Sequence, residues 1–585
     1  MSYQNENLTL IREEMKKRGL KGYLIVTGDP HSSEEPAPYF AAERRFACPF
    51  TGDNAYVLIT EKEALLWTDG RFFISAEQEL VGTPYKLMKM STPGYPSLEE
   101  YLVEEDVYPL GTNFLMVAEN SIKSIEKKGK AVVDTDLSFL MKDRPELNKS
   151  KLWRFDDPKF NTLTRTQKIE EIRQKTQNIE ISAILISTLD DIAWILNIRG
   201  NDVPYTPVFY SYLYIGNSEV HLFVEPGRID FGMEGINVHP YDELETFLNK
   251  YADLATLVDP DRLNAHVYRL LKNPVRGRIP SNMMKAVKGP KEIENIIRVQ
   301  EQDGVALLKF IAFLETNKDN KTLTEWDYAK KLQEFRKENP DYIEDSFQTI
   351  AAYGKNAAMM HYAPTEKSSD VVDGSGIQLL LDSGGQYYGG TTDTTRTFLM
   401  GKPTEEYKKD YTLTLKSVIA LSRAVFLEGT PGTCLDFAAR DIMWKEGLDY
   451  KCGTGHGVGY LLPVHEGPNG FRYRIVPGKD DWCANVPGMI TTVEPGVYKK
   501  DKYGIRIENN LLTVFDHETS DGKFFSFANV TFVPIETKAL NLDLLSDLEI
   551  LYLNEYHKMV FDHLSPMVSG ELLDLLTRLT SPLVR

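Results

Sequence analysis

Short apolar runs alternate with amphipathic helical segments in the first part of the chain, a pattern typical of α/β folds. Residues 8–18 have helical periodicity, and Gly19 follows at the place where a left-handed residue would end the helix. Residues 22–27 predict a strand, and residues 55–68 predict two strands joined by a charged turn. Residues 29–54 are rich in proline and aromatic side chains, and we expect them to form one long loop.

The same plan recurs later in the chain. An apolar strand at residues 181–188 is followed by a polar loop and then by a hairpin pattern at residues 210–228. Each hairpin ends in a Gly-Arg pair, at residues 70–71 and 227–228. We therefore expect two related α/β modules rather than one large domain. The alternative is a chance likeness, because any two α/β segments share such features.

Polar stretches that contain proline predict where the domains end. One covers residues 149–159, and a second ends at Pro290, which is placed for the first turn of a long helix. Residues 324–327 carry a capping signal for the next helix. The leucine-rich tail is helical in pattern, and packing on its own domain is a simpler explanation than a dimer contact. The predicted domains are residues 1–155, 156–289 and 290–585, the last ending in a helical tail from residue 540 onward.

The composition is that of an ordinary globular chain. Its 585 residues are 42% hydrophobic and 26% charged, which is enough for several cores. The formal net charge of −18 argues against nucleic acid and anionic membranes as partners, because both need a basic surface. Four dispersed cysteines, a polar N-terminal segment and the absence of an 18-residue apolar run favour a cytoplasmic protein.

Two aspartates in residues 379–397 are the first candidates for chemistry. An apolar run brings Asp382 to the end of a strand, glycines surround a turn, and a threonine-rich return strand brings Asp393. Two carboxylates that face each other across a hairpin require a shared proton or a cation between them. A metal site is the sharper interpretation, whereas either aspartate alone would more often be a solvated turn residue.

Three further ligands follow downstream. His456 lies in the glycine-rich residues 453–459, where small residues let the backbone approach an ion, and Glu494 ends an apolar strand before a Pro-Gly stop. The alternation at residues 503–508 places Arg506 and Glu508 on one face of a strand and two isoleucines on the other. Arg506 is therefore expected to pair with a carboxylate and orient it, the alternative being a surface ion pair.

These residues form an oxygen-rich set with one nitrogen ligand. Mn²⁺ fits such a set best, and Co²⁺ or Zn²⁺ can substitute. Four carboxylates carry more charge than one divalent ion needs, so we expect two ions bridged at about 3.5–4 Å. No Cys-x-x-Cys pair or His-Glu-x-x-His helix competes with this site. The predicted metal ligands are Asp382, Asp393, His456, Glu494 and Glu508.

The segments that carry these ligands resemble one known family. DSGGQY, GTTDTTRT, GTGHGVG, HEGP, VEPGVY and GIRIEN are similar to the pita-bread metallopeptidases, most closely their three-domain aminopeptidase P branch, and weaker similarity covers nearly the whole chain. The resemblance implies an α/β (α+β) protein with two related creatinase-like N-terminal domains and a C-terminal pita-bread catalytic domain. It also implies a homodimeric aminopeptidase whose metal-activated hydroxide cleaves the bond between an N-terminal residue and a following proline.

The resemblance assigns further roles. Glu494 would bind metal and also transfer the proton, although a plain ligand is its simpler role. His361 and His465 would hold the peptide and stabilise the tetrahedral intermediate. By its own sequence context, His361 is more simply a hydrogen-bonded structural histidine. The chain departs from many relatives at Cys452, where they carry histidine four residues before the ligand histidine, so details of the substrate pocket do not transfer there.

Other functions are open to the same fold. A prolidase, which cleaves dipeptides, shares the five ligands but usually lacks the additional N-terminal domain. Creatinase-type hydrolases use the fold without metal, and the intact ligand set argues against them. A non-catalytic binding protein, like certain histone chaperone subunits, would generally have lost ligands and would carry charged tails.

Overall fold

The computed structural model of the chain describes residues 3–126, 130–476 and 482–585. The polar N-terminal segment, one of the features that favoured a cytoplasmic protein, includes residues 1 and 2, which lie outside the described residues. The chain divides into two compact units: Met1–Asp156 with Leu163–Asn282, and Asp157–Thr162 with Met283–Arg585. The three-domain boundaries stay a prediction.

The first unit begins with a six-stranded sheet. Its strands are paired in the order β4-β3-β2-β1-β5-β6. The strands are β1 (Gly22–Val26), β2 (Ala55–Thr60), β3 (Ala64–Thr68), β4 (Tyr85–Lys89), β5 (Leu110–Thr112) and β6 (Val132–Asp134). The helices are α1 (Tyr3–Lys17), α2 (Pro38–Ala47), α3 (Phe73–Glu79), α4 (Leu98–Glu104) and α5 (Glu119–Glu126).

Local signals in this region were mostly interpreted correctly. Gly19 follows α1 with φ of +68°, and β2 and β3 form the expected antiparallel hairpin. The single long loop expected at residues 29–54 was wrong, because α2 lies within it. Pro38 occupies the first turn of α2, where its missing N–H is no loss, so the proline that suggested a loop in fact begins a helix.

A second six-stranded sheet follows, in the order β12-β11-β10-β8-β13-β14. Its strands are β8 (Ala183–Ile186), β10 (Ser211–Gly216), β11 (Val220–Val224), β12 (Asn237–Pro240), β13 (Thr256–Val258) and β14 (Pro274–Arg276). A separate two-stranded pair consists of β7 (Trp153–Arg154) and β9 (Ile198–Arg199). The helices are α6 (Arg165–Thr176), α7 (Leu189–Leu196), α8 (Leu244–Tyr251), α9 (Ala265–Leu270) and α10 (Pro280–Ala286).

The two sheets repeat one topology. In each, the first strand pairs antiparallel with the second and parallel with the fifth. The second and third strands form an antiparallel hairpin, and the fourth and sixth add in parallel at the two edges. This agreement confirms the two related α/β modules expected from the sequence.

The second unit carries the segments with the candidate ligands. Its helices are α11 (Pro290–Asn317), α12 (Glu325–Lys337), α13 (Glu405–Ser422), α14 (Gly432–Trp444), α15 (Asp547–Leu564) and α16 (Glu571–Leu579). Its strands are β15 (Tyr342–Asp345), β16 (Ile350–Tyr353), β17 (Gln378–Ser383), β18 (Gly385–Tyr387), β19 (Gly390–Thr391), β20 (Thr394–Leu399), β21 (Phe426–Leu427), β22 (Gly455–Gly457), β23 (Glu466–Phe471), β24 (Ile490–Val493), β25 (Gly496–Lys499), β26 (Tyr503–Arg506), β27 (Asn509–Thr519) and β28 (Gly522–Asn529).

Three antiparallel sheets and a hairpin organise these strands. The largest runs β21-β28-β27-β24-β22-β23, and the smaller ones run β16-β17-β20 and β15-β18-β19, with β25 and β26 paired separately. Short 3-10 helices complete the chain at Gly70–Phe72, Phe114–Met116, Ser138–Leu140, Tyr241–Glu243, Gly354–Ala358, Leu542–Leu544 and Ser565–Met567.

Helices cover the core of the second unit. Pro290 stands in the first turn of α11, and Thr324 and Asp327 form the expected capping box of α12. The tail helices bury Leu553, Leu564 and Leu576 in the same core as α11 and α13, as the simpler explanation of the tail requires. Within the described residues, none of the helices combines the length and the apolar character needed to cross a membrane.

Candidate metal centre

The five predicted ligands come from strands or from residues next to them. Asp382 lies in β17, and Asp393 immediately precedes β20, its antiparallel neighbour. His456 is the middle residue of β22, and Glu494 follows β24, to which β22 is paired. Glu508 lies between β26 and β27. Side chains at strand ends converge because the paired strands finish side by side.

Three of the five side chains form a group that can hold a metal ion. Asp393, His456 and Glu508 each offer one ligand atom, and these atoms lie within 4.8 Å of one another. The His456 Nε2 is 3.4 Å from Asp393 Oδ2 and also 3.4 Å from Glu494 Oε1. Three predicted carboxylate ligands therefore lie around the imidazole of the fourth ligand, His456.

Arg506 connects the fifth ligand to this group. Its Nη2 donates to Asp382 Oδ2 at 2.5 Å, and its Nε donates to Thr395 Oγ1 at 3.1 Å. The Thr395 hydroxyl then donates to Glu508 Oε2 at 2.7 Å. The Arg506 guanidinium is thus bonded directly to Asp382 and, through the Thr395 hydroxyl, to Glu508. The alternation at residues 503–508 had placed Arg506 and Glu508 on the same face of the strand.

The electrostatics of the group call for a cation. Burial raises the pKa of Asp393 well above its usual range, and the nearby Asp382 and Glu494 raise it further. Burial likewise raises the pKa of Glu508, with Asp393 and Asp382 adding to the effect. Four carboxylates face one guanidinium, so the ionised group carries an excess of three negative charges. Divalent ions would remove that excess.

Two buried oxygens provide a test of whether a metal fits. Asp382 Oδ1 and Glu508 Oε1 are inaccessible to solvent and have no hydrogen-bond partner within the part of the chain that the structure describes. Buried polar atoms are nearly always paired, and carboxylate oxygens are preferred ligands of hard divalent ions. The donor set and these two oxygens therefore fit a metal centre.

His456 is oriented for ligation by its own backbone. Its Nδ1 lies 2.9 Å from the Gly457 carbonyl oxygen, which can only accept, so the ring proton belongs on Nδ1. The Nε2 lone pair then faces the carboxylates, as in metal-binding histidines whose second nitrogen donates to a carbonyl. The backbone N–H of His456 donates to Thr492 Oγ1. The Thr492 hydroxyl in turn donates to Glu494 Oε1 at 3.2 Å, so Thr492 connects two ligands.

The glycines beside His456 have a different role from the expected one. A Cβ at Gly455 would lie 1.8 Å from the Thr492 carbonyl oxygen, and one at Gly457 would lie 2.1 Å from that of Glu466. The close approach is therefore to the backbone of the neighbouring strands β24 and β23 rather than to an ion. Glycine lets these strands pack closely on both sides of the ligand histidine.

The two predicted substrate histidines are connected to the group in different ways. The His465 ring stands edge-on to the His456 ring, with centroids 4.3 Å apart and planes at 89°. His361 directly follows Met360, whose carbonyl oxygen accepts a hydrogen bond from Arg506 Nη2 at 3.4 Å. Both histidines are partly exposed, as groups that contact a substrate must be.

Several supporting residues were missed at the sequence level. Thr395 and Tyr498 hold Arg506, the latter accepting from Arg506 Nη1 at 2.7 Å. The Glu466 carboxylate, next to His465, accepts from the buried Lys288 ammonium at 2.5 Å. The repeated threonines after Asp393 and the tyrosine of VEPGVY were visible signals for the first two. No local pattern indicates a partner 178 residues away.

Cys452 lies close to this support. It packs with Tyr498 against a small apolar cluster that includes Met443 and Val497, and its carbonyl oxygen accepts from Arg440 at 2.6 Å. Burial raises the pKa of Tyr498, and Cys452 contributes to the shift in the same direction. Cys452 therefore lies in the same cluster as the tyrosine that holds Arg506.

Comparisons with known proteins show which families the chain resembles. Family models match in three parts: the Creatinase/Prolidase N-terminal domain over residues 143–292, metallopeptidase family M24 over residues 294–514, and the C-terminal region of peptidase M24 over residues 523–583. Aminopeptidase P2 of Arabidopsis thaliana is 36% identical over 97% of this chain and 86% of its own length. Xaa-Pro aminopeptidase app-1 of Caenorhabditis elegans is 35% identical over 92% of this chain and 91% of its own.

A solved structure extends the agreement to the whole fold. The X-prolyl aminopeptidase of Caenorhabditis elegans, described as a cytosolic enzyme with a di-nuclear active site, superposes with a TM-score of 0.93 at 32% identity and covers 100% of both chains. Together with the family models and the repeated sheet topology, this likeness confirms creatinase-like N-terminal domains followed by a pita-bread domain. The chain belongs to metallopeptidase family M24, in its group of Xaa-Pro aminopeptidases with two creatinase-like N-terminal domains.

Proposed function

We propose that this chain is a metal-dependent aminopeptidase that hydrolyses the bond between an N-terminal residue and a following proline. The observation that carries the proposal is the convergence of Asp393, His456 and Glu508 within 4.8 Å, together with the unpaired buried oxygens of Asp382 and Glu508 among the described residues. Relatives over nearly the full length are named Xaa-Pro aminopeptidases, which supports the specificity.

Two divalent ions would be held by Asp382, Asp393, His456, Glu494 and Glu508. Mn²⁺ suits four carboxylates and one imidazole best, with Co²⁺ or Zn²⁺ as substitutes. When bound, such ions supply a hydroxide near neutral pH and positive charge for the carbonyl oxygen of the substrate. The di-nuclear site of the worm enzyme supports two ions.

Glu494 is the carboxylate best placed to accept the proton. Its side chain is 20% exposed, compared with 5% for Asp393 and 11% for Asp382, so it is more accessible to the substrate side. Its Oε1 is held by the Thr492 hydroxyl at 3.2 Å, which fixes the carboxylate and leaves Oε2 for the proton. General base chemistry requires such access and such fixed geometry.

His361 and His465 would hold the peptide beside the centre. An imidazole N–H close to the carbonyl oxygen stabilises the negative charge that develops there. Arg506 would serve the reaction indirectly, because it bonds to Asp382, Thr395 and Tyr498 rather than to substrate. Its role would be to keep Asp382 ionised and oriented.

The location and assembly of the protein are also proposed. The four cysteines are free, which suits a reducing cytoplasm, and the worm enzyme is described as cytosolic. Helix α15 buries Leu553 in the core but leaves Leu548 60% and Leu551 52% exposed. An apolar patch on the tail supports a homodimer that covers it with a second copy.

Peptide cleavage tests the proposed function. The purified chain, treated with chelator and then given Mn²⁺, should release arginine from Arg-Pro-Pro and leave Ala-Ala-Ala intact. Proline has no amide N–H and a restricted φ, so a site shaped for it excludes ordinary second residues. Cleavage of Ala-Pro alone would instead identify a prolidase. If no peptide is cleaved at full metal occupancy, the peptidase assignment is wrong.

A further inference from the structure

Two histidines face each other on the second sheet of the first unit. Strands β11 and β12 pair in parallel, with His221 opposite Asn237 and Phe223 opposite His239. The two histidines are therefore diagonal neighbours on one face of the sheet. Their nitrogens, His221 Nδ1 and His239 Nε2, are 3.0 Å apart, and their rings are inclined by only 29°.

The outer nitrogen of each ring faces a carboxylate. His221 Nε2 is 3.3 Å from Glu219 Oε2, and His239 Nδ1 is 3.8 Å from Glu243 Oε2. The Glu219 carboxylate can only accept a hydrogen bond, so the ring proton of a neutral His221 belongs on its outer nitrogen, whereas the 3.8 Å between His239 and Glu243 is an ion-pair distance that fixes no tautomer. His221 Nδ1 therefore presents a lone pair to His239 Nε2, which either donates a hydrogen bond to it or, with the His239 proton on Nδ1, presents a second lone pair to a cation between the rings.

We propose that His221 and His239 form a binding site for a divalent transition-metal ion such as Zn²⁺ or Cu²⁺. Imidazole is a preferred ligand of both ions. Nitrogens at roughly 2.0–2.1 Å from a metal are about 3–3.4 Å apart at common coordination angles, so the observed separation needs little change. Carboxylates behind the ligating rings are the usual arrangement around metal-bound histidines.

The surroundings favour a metal ion over an extra proton. His221 is only 9% exposed, and the rings pack against Phe223 and Phe247 with centroid separations of 5.0 and 4.7 Å. A diffuse imidazolium charge is disfavoured by such apolar contacts, whereas a metal ion brings its own water ligands. The His239 side chain is 28% exposed, which gives the ion and its waters access.

The proposed ion would connect the edge strand of the sheet to its neighbour. Strand β12 is an edge strand, and β11 is its neighbour inside the sheet. An ion held by one ligand from each strand would fix β12 in register. The proposal concerns residues 219–243 and does not depend on the proposed peptidase activity, whose ligands all lie within residues 283–585.

Cu²⁺ binding by the full-length chain tests the proposal. The catalytic centre is first loaded with Mn²⁺, and bound copper is counted for the native chain, for His239→Gln and for His266→Gln. His266 is the matched control: its side chain is 35% exposed, and its two ring nitrogens are each 3.7 Å from a carboxylate, Asp134 or Glu245. No ring contact in the described residues pairs it with a second imidazole.

We expect the native chain and His266→Gln to bind one more copper ion than His239→Gln. The paramagnetic resonance spectrum of the additional ion should show coupling to two imidazole nitrogens. This spectrum is recorded on the native chain, so it does not depend on whether a variant folds. Cleavage of Arg-Pro-Pro by Mn²⁺-loaded His239→Gln should be unchanged. Equal copper counts in all three proteins, or a spectrum without coupling to two nitrogens, would overturn the proposal.

Discussion

The Arg506 guanidinium donates to the Asp382 carboxylate at 2.5 Å, and both side chains are nearly buried, with 4% and 11% exposed. Burial alone would lower the pKa of Arg506, but Tyr498, Asp382 and Glu494 together raise it well above its ordinary value. The cation is therefore permanent, and it is the only fixed positive charge among the described contacts of Asp382.

Two replacements of Arg506 should distinguish the effect of its positive charge from the effect of its hydrogen-bond geometry. Removal of one partner of a buried pair costs about 3–5 kcal/mol, so Arg506→Gln should lose about that much stability and most of its activity. Arg506→Lys keeps the charge but cannot reach Asp382, Thr395 and Tyr498 together, so it should fold and yet bind Mn²⁺ more weakly. Urea unfolding and Mn²⁺ titration measure both effects.

The exposed Arg423 provides a control in the same unit. Arg423→Gln should change the free energy of unfolding by less than about 0.5 kcal/mol. If Arg506→Lys binds Mn²⁺ as tightly as the native chain, orientation of Asp382 by the guanidinium is not required.

Glu494→Gln distinguishes a proton acceptor from a plain ligand. The amide keeps the size of the side chain but cannot take a proton, so kcat for Arg-Pro-Pro should fall by about 10²–10⁴. The comparison is made across increasing Mn²⁺ concentrations. Recovery of native kcat at high Mn²⁺ would mean that Glu494 only binds metal.

The loop that carries His361 is held by a buried glutamate. Glu325 accepts hydrogen bonds from Tyr362 Oη at 2.6 Å, from the Tyr353 N–H at 2.6 Å and from Asn356 Nδ2 at 3.0 Å, and burial raises its pKa. Tyr362→Phe removes one of these bonds. We expect a loss of about 1 kcal/mol in stability and roughly a tenfold fall in kcat/KM, because His361 is adjacent.

A double variant tests whether the effect passes through His361. In a His361→Ala background, Tyr362→Phe should lower kcat/KM little further, since the group that it positions is gone. Equal losses in both backgrounds would show that the tyrosine acts on general stability instead.

Acid stability should depend on His31 in the first unit. This buried histidine bonds to the Ser187 carbonyl oxygen at 2.7 Å and to the Tyr241 hydroxyl at 2.8 Å, and burial lowers its pKa to about 4. A group whose pKa is lower in the folded state contributes stability above its unfolded pKa of about 6.5, and that stability is lost as the pH falls to about 4. The loss amounts to about 3 kcal/mol.

Thermal unfolding of the native chain and of His31→Gln from pH 7.5 to pH 4 measures the contribution of His31 to acid stability. The native midpoint should fall more steeply with acid than that of the variant, and His266→Gln should follow the native curve. Parallel curves for the native chain and His31→Gln would show that His31 does not titrate on unfolding in this range.

Short-range patterns predicted where the candidate ligands lie on the strands but not which residues hold them. Alternation at residues 503–508 placed Arg506 and Glu508 on one face, because the period of a strand is fixed by the backbone. Pro38 was expected to lie in a loop although it begins a helix, because proline is common both in loops and in the first turn of a helix.

The supporting contacts depend on residues distant in sequence. Glu325 reaches Tyr362 across 37 residues, and Lys288 reaches Glu466 across 178. No periodicity encodes such partners, since they are set by how the sheets and helices pack. The fold class was therefore predictable from one sequence, and so were the candidate ligands that the structure brings together, whereas the hydrogen bonds that Thr395, Tyr498 and Glu325 make depend on how the elements pack.

The most direct measurement is a Mn²⁺ titration of the chelator-treated chain in which bound metal and Arg-Pro-Pro cleavage are followed together. We expect cleavage to rise with binding and to reach its maximum at two ions per chain, and we expect Asp393→Asn to abolish both, because Asp393 lies where His456 and Glu508 converge. Full cleavage without bound metal, or two bound ions without cleavage, would contradict this expectation.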